Sequence, residues 1–318
     1  MKKIVMAGGT GFLGKCIVNY YSDKDVQCVI LTRGSSRLDN KVKYVNWDGK
    51  TQGAWTAELD HADVLINLNG KSVDCRYTEK NKQLIYATRL DATTALGTAI
   101  QNSKHPPKLW INSGSATIYR HSLDKDMDEY TGEAGQGFSV DVCEKWESLF
   151  NSYATPGTRK VIIRTGIVLG RKRGALQPLK RLVQFGLGGT QGNGNHYFSW
   201  LHEDDFAAII DFIITHTELN GAYNLTSPHP VPNHHFMKAL RHVQGASLGI
   251  PAPVWLLKIG AVLIQTETEL ILKSRRVVPR KLLEAGYQFR YDTIEKALLD
   301  LRSPLSAFSS AQKPLPYP

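Results

Sequence analysis

The glycines of KKIVMAGGTGFLG (Lys2 to Gly14) are the residues whose type and spacing point most directly to chemistry. Gly8, Gly11 and Gly14 stand in a G-x-x-G-x-x-G pattern, with Gly9 between the first two. A turn of this kind lets bare backbone lie against a pyrophosphate, whose negative charge then sits at the N-terminus of the following helix. Side chains at Gly8 or Gly11 would block that approach, and one at Gly14 would push the helix away from the strand. Thr10, Phe12 and Leu13 complete the turn. The apolar run from Ile4 to Ala7 predicts a buried strand before it, and Phe12 and Leu13 begin a helix. Val26 to Thr32 is the second strand that a dinucleotide-binding βαβ unit requires.

The end of that second strand selects the dinucleotide. An acid there would accept the two ribose hydroxyls of NAD. The residues are instead Thr32-Arg33-Gly34-Ser35-Ser36-Arg37, with no acid before Asp39. Two arginines and two serines suit a 2′-phosphate, so the expected cofactor is NADP. No metal is expected. His202 is followed by Glu203, Asp204 and Asp205, of which Asp204 or Asp205 reads as the cap of a helix. His229, His234 and His235 lie among prolines and an asparagine and read as an exposed turn. Cys16, Cys28, Cys75 and Cys143 are scattered without C-x-x-C spacing, which indicates neither zinc nor a disulfide framework.

The 318 residues are 42% hydrophobic and 21% charged, an ordinary globular composition with room for a large α/β domain and a smaller partner. The net charge is +10, but Lys and Arg are spread along the chain without a block of five like charges. That favours a solvated surface attracting a polyanionic cofactor over a nucleic-acid face. The opening MKKIVMAGG imitates a signal peptide until glycines cut the apolar run. Val254 to Ile264 is too short to span a bilayer and carries Lys258. The expectation is a cytoplasmic protein with a small-molecule substrate, monomeric or homodimeric, without nucleic-acid or membrane partners.

The elements that must position these residues alternate between strand and helix. Further strands are expected at Val42 to Val45, Ala62 to Leu68, Lys108 to Asn112 and Arg159 to Arg164, with a long helix from about Thr78 to Gln101. Asn69-Gly70, after the fourth strand, is where the middle of the cofactor should pass. This predicts a doubly wound parallel Rossmann sheet. Beyond Gly166 the rhythm changes: a helix from Leu176 to Phe185, the loop GLGGTQGNG (Gly186 to Gly194) as a lid or a plain turn, then a helix from Ala207 to Ile214 and a strand from Ala222 to Leu225. The division expected is an NADP-binding domain over 1–165, to which segments near 199–226 return. A smaller C-terminal α+β substrate domain spans 166–303, and a flexible tail 304–318.

With the glycine turn, SGSATIY (Ser113 to Tyr119) and RTGIVLG (Arg164 to Gly170) placed, the chain resembles the extended short-chain dehydrogenase/reductases, kin of nucleotide-sugar epimerases and dehydratases. More narrowly it resembles their atypical, epimerase-like branch. That branch carries versions of NLNGKSV (Asn67 to Val73), RYTEKNKQLIYATR (Arg76 to Arg89), GLGGTQGNG, SWLHEDDF (Ser199 to Phe206) and PRKLLEAGYQF (Pro279 to Phe289). The resemblance implies cofactor contacts at Thr32 and Arg33, at Leu68 and Asn69, and at Val168. Arg89 is counted with these cofactor-binding residues; it stands where the extended enzymes usually carry asparagine, as a polariser of a carbonyl or, preferably, a holder of phosphate.

The resemblance also implies a serine that polarises the substrate oxygen, at Ser115, and a Tyr-x-x-x-Lys pair that moves the proton. The pair is missing. In GFSVDVCEKWE, Phe138 falls at the tyrosine and Val142 or Cys143 at the lysine. Of the 13 tyrosines only Tyr20 has a lysine four residues on, and that pair lies in the first helix, on the wrong side of the sheet. Candidate substitutes are Tyr119, which could equally be a packing tyrosine, and Cys143, which could equally be a small buried residue. The function expected is an NADP-binding oxidoreductase or epimerase-like protein acting on a small polar, nucleotide-sugar-like substrate. The alternative is a non-catalytic NADP(H)-binding sensor or regulator.

Overall fold

A computed structural model describes residues 1–255, 257 and 273–302. The tail from 304 and most of the apolar run from Val254 to Ile264 lie outside the described residues. The first half contains β1 (Lys2–Ala7), α1 (Phe12–Tyr20), β2 (Val26–Thr32), β3 (Arg37–Asp39), β4 (Val42–Asn46), β5 (Val64–Asn67), α2 (Glu79–Asn102), β6 (Leu109–Ser115), α3 (Phe138–Ser152) and β7 (Arg159–Thr165). After these come β8 (Ile167–Leu169), α4 (Leu176–Gln184), β9 (Tyr197–Phe198), β10 (Trp200–His202), α5 (Glu203–Thr215), β11 (Gly221–Leu225), β12 (Val231–Pro232), α6 (Asn233–Gln244), α7 (Arg280–Glu284) and α8 (Ile294–Arg302).

The main sheet has eight strands in the order β11-β7-β6-β5-β1-β2-β4-β3, all parallel except β3. The chain winds outward from β1 through β2 to β4, then returns to the other side of β1 with β5. That reversal lies at the C-terminal ends of β1 and β5, the place in an open α/β sheet where ligands bind. Helices cover both faces, so the central strands are buried on both sides and read as unbroken apolar runs. Ile4 and Met6 point into the core under α1 and α5, while Val5 and Ala7 point into the core under α2. β11 pairs with β7, so residues 221–225 extend the main sheet from well beyond the change of rhythm at Gly166. Leu282 and Tyr287 join the same core as α1 and α5.

A separate core joins α4, α6 and α8 through Leu176, Val183, Phe236, Leu240 and Leu298. The two-stranded pairs β8–β10 and β9–β12 connect this smaller unit to the C-terminal edge of the main sheet. The edge strand β3 has no counterpart in the sequence reading. It is short, antiparallel and fully exposed, so no apolar pattern marks it. The long helix starts one residue inside the expected boundary, with the Thr78 hydroxyl accepting the Asn81 N–H.

Candidate functional site

Two further segments, residues 68–69 and 170–174, pack on the glycine turn. Gly8 adopts φ +74°, and a Cβ there would sit 2.9 Å from the Leu68 carbonyl oxygen and 3.0 Å from Asn69. Gly14 packs so tightly on Gly9 that a Cβ would overlap the Gly9 carbonyl. Gly11 differs: a Cβ there would meet no protein atom but the Gly8 oxygen, at 3.6 Å. So Gly8 and Gly14 are fixed by the protein itself, and Gly11 faces open space. Among the described residues no side chain caps α1, and no acid stands in its first turn. Its N-terminus therefore presents N–H groups and a positive dipole end to whatever fills that space. Thr10 and Gly11 form the exposed rim, and the Phe12 ring packs against the backbone at Gly170 and Gly174. The turn that follows Val168 thus closes over the start of α1. Val168 itself is buried, paired with Leu201.

At the end of β2 the Asn46 amide donates to the carbonyls of Arg33 and Gly34, and Thr32 Oγ1 accepts the Gly34 N–H. These bonds hold the loop in place. Arg33 is exposed and has no carboxylate partner among the described residues. Arg37 stacks 3.9 Å above the Tyr44 ring, with Nη1 near Gly34. The Arg37 guanidinium thus flanks the strand end, beside the exposed Arg33. A groove of about 970 Å³ runs alongside β4, lined by Ser36, Arg37, Asn46, Trp47 and Asp48 among others. The Asn69 loop is set by buried amides: the Asn67 Nδ2 donates to Asn112 and Thr93, and its oxygen accepts the Asn69 N–H. Trp146 also donates to Thr93, which ties α3 to this network.

The other end of the site, at β6 and β7, is built from interlocked side chains. Ser115 closes β6 opposite Thr165 and is half-buried. Its hydroxyl donates to Thr117 Oγ1 (3.0 Å) and accepts the Thr117 N–H (3.2 Å), capping a turn at Ala116–Ile118. Tyr119 is only 2% exposed. Its hydroxyl donates to Asn224 (3.0 Å) and accepts from Arg164 (2.9 Å), and burial raises its pKa. Arg164 in turn makes two bonds to Glu147, at 2.9 and 2.7 Å. Cys143 is 4% exposed, and burial, followed by Glu147, pushes its thiol up to about 12. These three candidates lie around one stretch of β6 and α3, yet a neutral buried thiol and a doubly bonded phenol are poorly set to move protons.

Phe138 stands beside two tyrosines that the sequence reading did not single out. Tyr77 meets it edge-on at 4.8 Å and Tyr86 at 5.4 Å. Tyr77 shares a hydrogen bond with Ser139, and Tyr86 donates to Asp141, which also pairs with Lys145. Burial, then Asp141, raises the Tyr86 phenol to about 12. Arg89 reaches the same place from α2. Its Nη1 donates to the carbonyls of Lys71 and Ile85, its plane lies 5.2 Å from the Trp146 ring, and burial lowers its pKa. The network of Arg164, Glu147 and Asn224 had one legible signal. Cys143, Trp146 and Glu147 fall at i, i+3 and i+4, which sets the carboxylate on the buried face of α3.

The remaining candidates resolve into structure. α5 begins at Glu203, and its cap is His202, not Asp204 or Asp205: the His202 Nδ1 accepts the Asp204 N–H. That bond leaves the proton on Nε2, which faces Asp300 at 3.1 Å. Asp205 is buried and accepts the N–H groups of Arg290 and Tyr291. His202, Asp204 and Asp300 lie close enough to hold an ion, but Asp300 is paired with Arg171 and His202 has both nitrogens engaged. Of the histidines at 229, 234 and 235, the last two open α6 and bond to the Gly194 carbonyl and Glu295, while His229 lies in a bend. The GLGGTQGNG loop is bonded along its length to residues 250–252, through Gly189, Thr190 and Gly192. Tyr20 and Lys24 are tied to Asp211 on α5, on the face away from α3. Among the described residues no helix is long and apolar enough to cross a membrane.

Residues 4–226 match the NAD dependent epimerase/dehydratase family, and residues 252–301 match a domain of unknown function, DUF1731. Epimerase family protein YfhF of Bacillus subtilis is 34% identical over 302 residues, covering 94% of this chain and 97% of that one. Among solved structures, human epimerase family protein SDR39U1 (isoform 2) with NADPH superposes with a TM-score of 0.84 at 26% identity, covering 94% of this chain and 99% of that one. UDP-N-acetylglucosamine 4-epimerase from Bacillus cereus shares the fold, with a TM-score of 0.71 at 15% identity over 95% and 98% of the two chains. This chain belongs to the NAD dependent epimerase/dehydratase family, in its atypical, epimerase-like branch of short-chain dehydrogenase/reductases.

Proposed function

We propose that the C-terminal ends of β1 and β5 bind NADP(H) and that a small polar substrate lies beyond, over Ser115. The open face at Gly11, between two glycines sealed by protein, carries this reading. It leaves a cradle that a Cβ would begin to fill, beside uncapped helix N–H groups that suit a pyrophosphate. Thr10, Phe12 and Leu13 shape that turn. Thr32, Arg33 and Arg37 suit the 2′-phosphate, and Leu68, Asn69 and Val168 line the path onward. The human relative with NADPH supports the same choice.

A bound nicotinamide would supply hydride chemistry. Ser115 would polarise the reacting oxygen by turning its O–H from Thr117 to the substrate. Tyr119 and Cys143 are the remaining groups for a proton, and their engagement argues for slow turnover. A second reading, a non-catalytic NADP(H) sensor, draws on the same observation: Phe138 and a thiol held near 12 stand where the proton-moving pair belongs. Titration with NADPH and NADH, followed by tryptophan fluorescence, tests the cofactor. Charge-assisted contacts are worth roughly 1.5–3 kcal/mol each, so NADPH should bind at least about tenfold tighter, and Arg33→Ala should bring the two affinities together. Equal affinities in the unaltered protein would refute the preference.

A further inference from the structure

We propose that Arg89, in a corner it shares with Arg275, forms an anion subsite for a carboxylate or phosphate group on the substrate. This rests on the NADP(H) reading above, and it moves Arg89 from the cofactor to the substrate. Arg89 spends Nη1 on the Lys71 and Ile85 carbonyls, which fixes the plane of the guanidinium. Its Nε and Nη2 have no protein acceptor among the described residues, and no carboxylate pairs with it. A largely desolvated guanidinium without a counter-charge is costly, and a two-oxygen anion on its free edge would offset that cost through parallel hydrogen bonds.

The surroundings favour the same occupant. Arg164 is committed to Glu147 and Tyr119. Arg275 is buried on a segment locked to β9 and its neighbour, through its N–H to the Tyr197 carbonyl and its carbonyl to the Ser199 hydroxyl. Ser199 abuts Gly166, one residue beyond the Ser115–Thr165 pair. The next residue, Arg276, turns outward to Asp126. Arg89, Arg164 and Arg275 all bear on the Cys143 thiol, against one carboxylate, Glu147. The glycine turn and α1 lie on one face of the sheet, whereas Arg89 comes from α2 on the other, beside α3. The subsite is therefore distinct from the cradle at Gly11.

The test is calorimetric titration of the NADPH-saturated protein with sodium oxalate and with inorganic phosphate. These probes separate carboxylate from phosphate recognition. The wild type should bind at least one of them. Arg89→Gln should weaken that probe at least tenfold while keeping NADPH affinity within threefold, and Arg89→Lys should fall between. Arg275→Gln, with thermal melting as a folding check, carries the test if Arg89→Gln does not fold. The proposal is overturned if the wild type binds neither probe, if both Gln variants bind as the wild type does, or if Arg89→Gln loses NADPH along with the probe. A wild type that binds no NADPH would sink the cofactor reading instead, and titrating the cofactor-free protein with the same two probes would still decide the subsite.

Discussion

At the β1–β2–β5 end of the site the protein offers backbone, glycine and exposed guanidinium groups, and its side chains leave the space above Gly11 empty. At the β6–β7 end nearly the reverse holds. The Ser115, Tyr119 and Arg164 groups already bond to protein partners, and Cys143 is sealed. The first arrangement is shaped for a ligand that brings its own charge. The second is a rigid floor, in which a reacting group must first be freed from its neighbour. A fold of this kind can keep its nucleotide end while its chemistry slows or disappears, because the two ends are held by different sets of contacts.

The contrast breaks most sharply at Arg164. Arg164→Met leaves Glu147 buried without its partner and removes a donor from Tyr119. Losing one member of a buried pair costs about 3–5 kcal/mol, so urea denaturation should show a loss of that size. Replacing both, with Glu147→Leu added, should recover most of it. A loss under about 1 kcal/mol for the single variant would mean that the floor is not interlocked.

His196 sharpens the comparison from within the smaller unit. It is buried, its Nε2 has no hydrogen-bond partner among the described residues, and burial lowers its pKa from 6.5 to about 4. The unfolded chain takes up a proton near pH 6.5 that the folded chain refuses until about pH 4. Stability should therefore fall as pH drops through that window, by about 3 kcal/mol in all for this group. His196→Gln should flatten that part of the stability profile. A slope unchanged by the substitution would show that His196 does not titrate as its burial demands.

Cys143 marks the small end of the scale. With its thiol near 12 it is neutral at physiological pH, so Cys143→Ser should leave NADPH affinity within about twofold and any pH–rate profile unshifted. A shifted profile would make the thiol a working acid and undo the picture of an inert floor.

These sites also mark how far the sequence could be read. Strand β2 falls at Val26–Thr32 as expected, because a strand buried on both faces must be apolar throughout. Gly8 and Gly14 were legible because the packed backbone leaves room only for glycine there, and Gly11 through its place in the same spacing. The positions of Ser115, Tyr119 and Cys143 were legible too, but not their partners. Asn224 lies 105 residues from Tyr119, and no periodicity in either segment announces the bond. The start of α5 was misplaced because a histidine ring nitrogen does the work usually assigned to an aspartate. β3 escaped because three exposed residues at a sheet edge carry no apolar signal.

The account stands or falls on Gly11, so the most direct measurement is calorimetric titration of NADPH into the wild type and Gly11→Val side by side. A Cβ at this position enters the open cradle and, within 4 Å, meets only the Gly8 oxygen among the described residues. The account predicts that NADPH affinity drops at least about a hundredfold, roughly 2.7 kcal/mol, while the melting temperature stays within a few degrees of the wild type. An unchanged affinity in a folded variant would contradict it and place the dinucleotide elsewhere.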